Sequence, residues 1–219
     1  MIKGAIFDVD GTILDSMKIW DEVGQRYLSD RGKTAEKNLN DILFPMTIEE
    51  GAEYIKNKYH ISEECGQIAE GLLDIVKDFY FLEAEPKQGA VELLDLLDRK
   101  DIPMTVASSS NREHIERAFE RLDIKKYFVE IFTCSEVGAG KTEPLIFEQA
   151  AKIMGSEPQM TYVFEDGLYA AETAKNAGFK VVGIYDDSSR ADWENLRETA
   201  DIAVEDLKEF NKIWEYISK

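Results

Sequence analysis

Ile2-Lys3-Gly4-Ala5-Ile6-Phe7-Asp8-Val9-Asp10-Gly11-Thr12 opens the chain with a mostly apolar run that breaks at two carboxylates and a glycine. Its length and apolar content predict a buried strand over residues 2–8, and Gly11 permits a sharp turn directly after it. Two acids at i and i+2 on such a turn, Asp8 and Asp10, suit paired chemistry, one carboxylate attacking phosphorus while its neighbour handles the proton. A carboxyl that donates a proton must be held protonated; like-charged neighbours raise its pKa from the free value of about 4. A calcium-loop reading fails, because an EF-hand needs Asp or Asn where Thr12 stands and Glu at the twelfth place.

Outward from this stretch, similar apolar runs recur at 102–107, 129–134, 161–165, 180–185 and 201–204. Helical patterns separate them at 89–100, 111–122, 144–154 and 168–177. This alternation predicts an α/β fold, a doubly wound, mostly parallel Rossmann-like sheet. In the first of these helices Val91, Leu93, Leu94, Leu96 and Leu97 read as a broad apolar stripe. Pro144 suits a first helical position, where its missing N–H costs nothing. The C-terminal Leu207, Phe210, Trp214 and Ile217 have helical spacing and read as core.

Residues 16–85 break the rhythm with three helical patterns, at 17–30, 48–59 and 63–81. Thr47-Ile48-Glu49-Glu50 is a capping-box sequence opening the second. The expected organisation is therefore a catalytic core of residues 1–15 and 86–219 with an inserted all-helical cap domain, residues 16–85. Tethers at 14–16 and 83–89 join the two, the second containing Pro86 and Gly89. Apolar Phe44-Pro45-Met46 in the cap fits either a partly apolar substrate or ordinary packing.

Composition narrows the partners. Of 219 residues 44% are hydrophobic, enough for one large core with a smaller satellite, and the net charge is −18. That charge argues against nucleic acid and anionic membranes. A phosphorylated small molecule remains compatible, since a pocket's local field can oppose the global one. The two cysteines, Cys65 and Cys134, form no CxxC or metal-ligand spacing, so a reduced, cytoplasmic setting is expected. The N-terminus lacks a signal-peptide layout, and no apolar run approaches the roughly 20 residues of a bilayer span. The sequence leaves the oligomeric state open and is compatible with a monomer.

Three further segments carry candidate chemistry. Ser108, followed by Ser109 and the N–H groups of a turn and helix start, can hold a phosphate, although serines there are also ordinary caps. Lys141 in Gly138-Ala139-Gly140-Lys141-Thr142 is not a nucleotide P-loop lysine, because Ser135 replaces the required first glycine. Beside Asp8 it would neutralise the nucleophile and the phosphoryl oxygens. Glu165-Asp166 ends another strand and offers oxygen ligands for Mg²⁺ opposite the first acidic pair. His60 and His114 read as surface or capping residues.

Taken together these segments resemble the haloacid dehalogenase superfamily, in its phosphatase and phosphoglucomutase-like branch with a helical cap. Asp8-Val9-Asp10-Gly11-Thr12-Ile13-Leu14-Asp15-Ser16 is similar to that branch's opening signature, and 106–110, 140–147 and 165–178 resemble its other three motifs. The resemblance implies an aspartyl-phosphate nucleophile at Asp8, an acid/base at Asp10, and Ser108 and Lys141 on the phosphoryl group. It implies Mg²⁺ on the Asp8 carboxylate, the Asp10 carbonyl and Asp166, with Glu165 in or just behind that shell. It also implies a cap that closes over a small phosphorylated metabolite and excludes water. Trp20 and Ile48 stand where the branch's sugar-phosphate mutases carry a histidine and an arginine, so hydrolysis is expected over phosphoryl transfer within a sugar. Thr142, Gly167 and Ala170 replace the usual Pro, Ser and Gly. A receiver-like phosphorylation switch shares the acidic pocket but lacks a cap and an Asp10-type donor.

Overall fold

The computed structural model describes residues 2–43 and 46–219, so Phe44 and Pro45, and the apolar reading placed on them, lie outside the described residues. The chain forms two compact units: the residues up to Asp15 together with Glu85–Lys219, and Ser16–Ala84.

The larger unit is built on a six-stranded sheet, β1 (Gly4–Phe7), β2 (Met104–Ser108), β3 (Phe128–Thr133), β4 (Thr161–Glu165), β5 (Lys180–Ile184) and β6 (Ile202–Val204). All neighbours pair in parallel, in the order β3-β2-β1-β4-β5-β6. Every residue of β1 is buried, which is why the run shows no polar alternation. Phe7 stacks on Phe164 of β4 with centroids 4.3 Å apart, locking those two strands side by side. The order places β1 at the point where the winding reverses, flanked by β2 and β4. Ligands of open α/β sheets bind at that crevice, outside the carboxyl ends of the strands.

The smaller unit holds α1 (Lys18–Ser29), α2 (Leu39–Leu43), α3 (Ile48–Tyr59) and α4 (Cys65–Leu82). Ile19, Val23, Tyr27 and Leu28 of α1 and Ile68, Leu72, Val76 and Phe79 of α4 supply its buried faces at helical spacing. The capping box forms: Glu50 N–H donates to Thr47 Oγ1 at 3.2 Å, and Thr47 N–H to Glu50 Oε2 at 2.9 Å. His60 caps the end of α3 in a left-handed conformation.

The larger unit's helices are α5 (Ala90–Asp98), α6 (Arg112–Arg121), α7 (Cys134–Val137), α8 (Leu145–Met154), α9 (Leu168–Asn176), α10 (Trp193–Thr199) and α11 (Phe210–Ile217). Ala150 and Phe147 of α8, Ala170, Ala171 and Ala174 of α9, and Ile6, Val163 and Val181 of the sheet form one buried cluster. Four details differ from the sequence reading. In α5 the buried stripe is Ala90, Leu93, Leu94 and Leu97, while Val91 is exposed, because a 3.6-residue turn carries it off the inner face. Cys134 begins α7 instead of ending β3, since Thr133 Oγ1 accepts from Glu136 N–H and caps a helical turn. Pro144 precedes the first helical residue of α8. At the C-terminus Ile213 joins Leu207 and Ile217 in the core, with Phe210 and Trp214 only partly covered. Among the described residues no helix is long and apolar enough to cross a membrane.

Candidate active site

Asp8 leaves β1 with its N–H still donating to Phe164 O of β4 at 3.0 Å. The chain then coils so that Val9 O accepts from Ile13 N–H at 2.9 Å and Leu14 N–H at 2.8 Å. Gly11 takes φ +79°, and a Cβ there would fall 2.6 Å from Asp166 Oδ2. Any side chain would therefore drive the first acidic loop away from the second. This is why a glycine follows Asp10.

Lys141 closes the cluster. Its ammonium donates to Asp8 Oδ1 and to Glu165 Oε2, the latter at 2.9 Å, with only 2% of its side chain exposed. Carboxylate oxygens of Asp8, Glu165 and Asp166 lie within 4.8 Å of one another, all three residues buried. Burial, then Glu165, pushes the Asp8 carboxyl up to about 8; burial, then Asp8, takes Asp166 to about 8. Glu165 rises to about 7, chiefly through burial, against the opposing pull of Lys141. Burial works against the Lys141 charge, but Asp8 and Glu165 outweigh it and hold the ammonium firmly protonated. Three carboxylates thus face one ammonium, and the deficit must be met by protons or by a cation. Converging oxygen ligands of this kind fit Mg²⁺.

Ser108 is fully buried at the end of β2, and its Oγ accepts from Ser110 N–H at 3.0 Å. It does not cap α6; Asn111 does, accepting from Glu113 N–H at 2.8 Å. Ser110 Oγ donates to Asp10 Oδ2 at 2.6 Å, which ties the β2 turn to the first acidic loop. Ser109 is exposed, and its hydroxyl contacts Cys134 Sγ at 3.5 Å instead of an acid of the cluster. Three consecutive serines give no sequence signal for which one turns inward.

The haloacid dehalogenase-like hydrolase family model matches residues 2–178. The chain belongs to that family. A validoxylamine A 7'-phosphate phosphatase from Streptomyces hygroscopicus subsp. limoneus is 28% identical, covering 99% of each chain. A phosphorylated carbohydrates phosphatase from Thermotoga maritima is 26% identical over 82% of this chain and 83% of its own. A beta-phosphoglucomutase from Clostridium difficile shares the fold, with TM-score 0.69 and 22% identity over 100% of this chain and 98% of its own. The haloacid dehalogenase-like hydrolase described here is an enzyme of the phosphatase kind.

Two residues of this hydrolase escaped the sequence reading. Lys87 Nζ donates to Gly11 O at 2.8 Å, Tyr185 O at 2.7 Å and Asp186 Oδ2 at 2.8 Å, buttressing the first acidic loop from behind. Burial would raise the Asp186 carboxyl, but the bonds from Lys87 and Ser188 outweigh it and hold the group below the usual range. The available signal was positional: Asp186 follows β5 at the same edge as the other acids. In the helical unit, Trp20, Val23, Leu43, Ile48 and Leu72 line a cavity of 440 Å³.

Proposed function

We propose that this enzyme is a Mg²⁺-dependent phosphomonoester hydrolase acting on a small phosphorylated metabolite through a phosphoaspartate on Asp8. The observation that carries the reading is the buried Lys141 joined to both Asp8 and Glu165, with Asp166 alongside. An Asp8 oxygen attacks phosphorus as the ester P–O bond breaks, and Asp10 gives its proton to the departing alkoxide. Asp10 then takes a proton from water, which attacks the phosphoaspartate and releases phosphate with Asp8 regenerated. Ser108 and Lys141 hold the phosphoryl oxygens, Ser109 contributing through the backbone of its turn. Ser110 keeps the Asp10 carboxyl oriented through its 2.6 Å bond. Mg²⁺ held by Asp8, Asp166 and the Asp10 carbonyl, with Glu165 beside them, would supply the charge neutralisation that lets a dianion approach.

Hydrolysis is favoured over mutase chemistry because Trp20 and Ile48 are walls of an apolar cavity, where the mutases carry groups that serve a second phosphate. The relatives' names, a validoxylamine A 7'-phosphate phosphatase and a phosphorylated carbohydrates phosphatase, support a phosphorylated carbohydrate or related polyol as substrate. Net charge of −18 argues against nucleic acid or an anionic membrane as partner. The test is phosphate release from an aryl phosphate. Asp8→Asn is expected to lower kcat by at least about 10³-fold, and chelation of the metal to abolish turnover until Mg²⁺ is returned. Undiminished magnesium-dependent release by Asp8→Asn would overturn the mechanism.

A further inference from the structure

Tyr169 occupies the second position of α9, just past the acidic pair, and the phosphoryl chemistry above gives it no part. It is 52% exposed, a large aromatic ring left open at the edge where a parallel sheet receives ligands. Its ring leans back over Gly167. A Cβ built on Gly167 would fall 3.1 Å from Tyr169 Cε1 and 3.2 Å from Glu165 Oε1. The ring edge and the Glu165 carboxylate thus flank one spot, which puts the ring beside the cluster. A side chain at Gly167 would press on both by a few tenths of an ångström. Among the described residues no hydrogen bond ties the phenol hydroxyl down. Burial of its inner part, then Glu165, pushes the phenol above its ordinary range.

We propose that Tyr169 is a specificity-determining residue that lays its ring against the alcohol half of the substrate, favouring phosphate esters of ring-bearing polyols over those of short open chains. The proposal rests on the phosphomonoesterase reading and refines its substrate class. An aromatic face packs well on the apolar C–H face of a rigid ring, and its polar tip can bond a ring hydroxyl. A short open chain offers less surface and loses more rotational freedom when held. Exposed as it is, the side chain can be removed without opening the core.

The experiment compares kcat/KM for glucose 6-phosphate and glycerol 3-phosphate, with Mg²⁺, in wild type, Tyr169→Ala and Tyr169→Phe. The wild type is expected to prefer the ring ester. Tyr169→Ala should lower its kcat/KM about 10-fold, mainly through KM, and change the open-chain ester by less than about 2-fold. Tyr169→Phe should retain most of the preference. An equal loss on both esters, or no loss on either, overturns the role of Tyr169 while the hydrolase reading stands. A wild type that releases phosphate from neither ester nor an aryl phosphate overturns both together.

Discussion

At the residue scale, the acids around Lys141 bind protons that the unfolded chain would release. With no metal present, Asp8 and Asp166 are raised to about 8 and Glu165 to about 7, whereas unfolded carboxyls ionise near about 4. From about pH 4 to about pH 8 the folded state therefore holds more protons than the unfolded one, and stability falls as pH rises. Lys141, raised, contributes stability that is lost only above that window. Asp186 and Asp201 are lowered, and their contribution is lost only in acid, as pH falls through their folded values. Mg²⁺ bound by these acids, as proposed, would compete with the protons and stabilise most where they have left. The melting temperature in chelator should decline from pH 5 to pH 8, and the rise on adding Mg²⁺ should grow over the same range. A metal-induced rise that shrinks with pH would contradict the assignment of these acids as ligands.

At the scale of elements, the legible features were those encoded locally. β4 spans Thr161–Glu165 and α3 spans Ile48–Tyr59, as read from the sequence, because an apolar run with turn residues and a capping box mark their ends. The placement of the candidate acids and Ser108 was legible for a related reason: each lies at or just past the end of a strand, and parallel strands present their ends on one edge. The support from Lys87 was not, since its partners Gly11 O and Tyr185 O lie 76 and 98 residues away and backbone carbonyls leave no mark in a sequence. The inward serine and α10, with only Leu196 buried on its single apolar side, were illegible for want of periodic signal. Gly89 is legible as a breaker but not as a fit. It caps α5 at φ +88°, and a Cβ there would lie 2.3 Å from the Leu207 backbone carbon. Gly89→Ala should cost at least the roughly 1–3 kcal/mol of a strained backbone. At about 2–4 °C per kcal/mol for a chain of this size, thermal unfolding should show a drop of several degrees. An unchanged melting temperature would mean that α5 can move off Leu207 freely.

At the scale of the whole molecule, sheet order does what no single motif can. Placing β1 between β2 and β4 brings Asp8, Ser108 and Glu165 to the ends of three adjacent strands, although more than 150 residues separate the first from the last. Strands spaced about 4.8 Å apart then set the scale of the site. The same molecule carries a net charge of −18, so a phosphate dianion would approach against the global field even if Lys141 and the proposed Mg²⁺ balanced the acids locally. Screening separates the two contributions. Charges on the distant surface are damped beyond about 10 Å at 0.1 M salt, while a buried cluster is damped much less. With Mg²⁺ kept saturating, raising the ionic strength from about 10 mM to about 150 mM should increase kcat/KM for an anionic ester several-fold and leave kcat unchanged. A fall in kcat/KM would show instead that local positive charge draws the substrate in, and that the acidic surface has no part in setting its rate of capture.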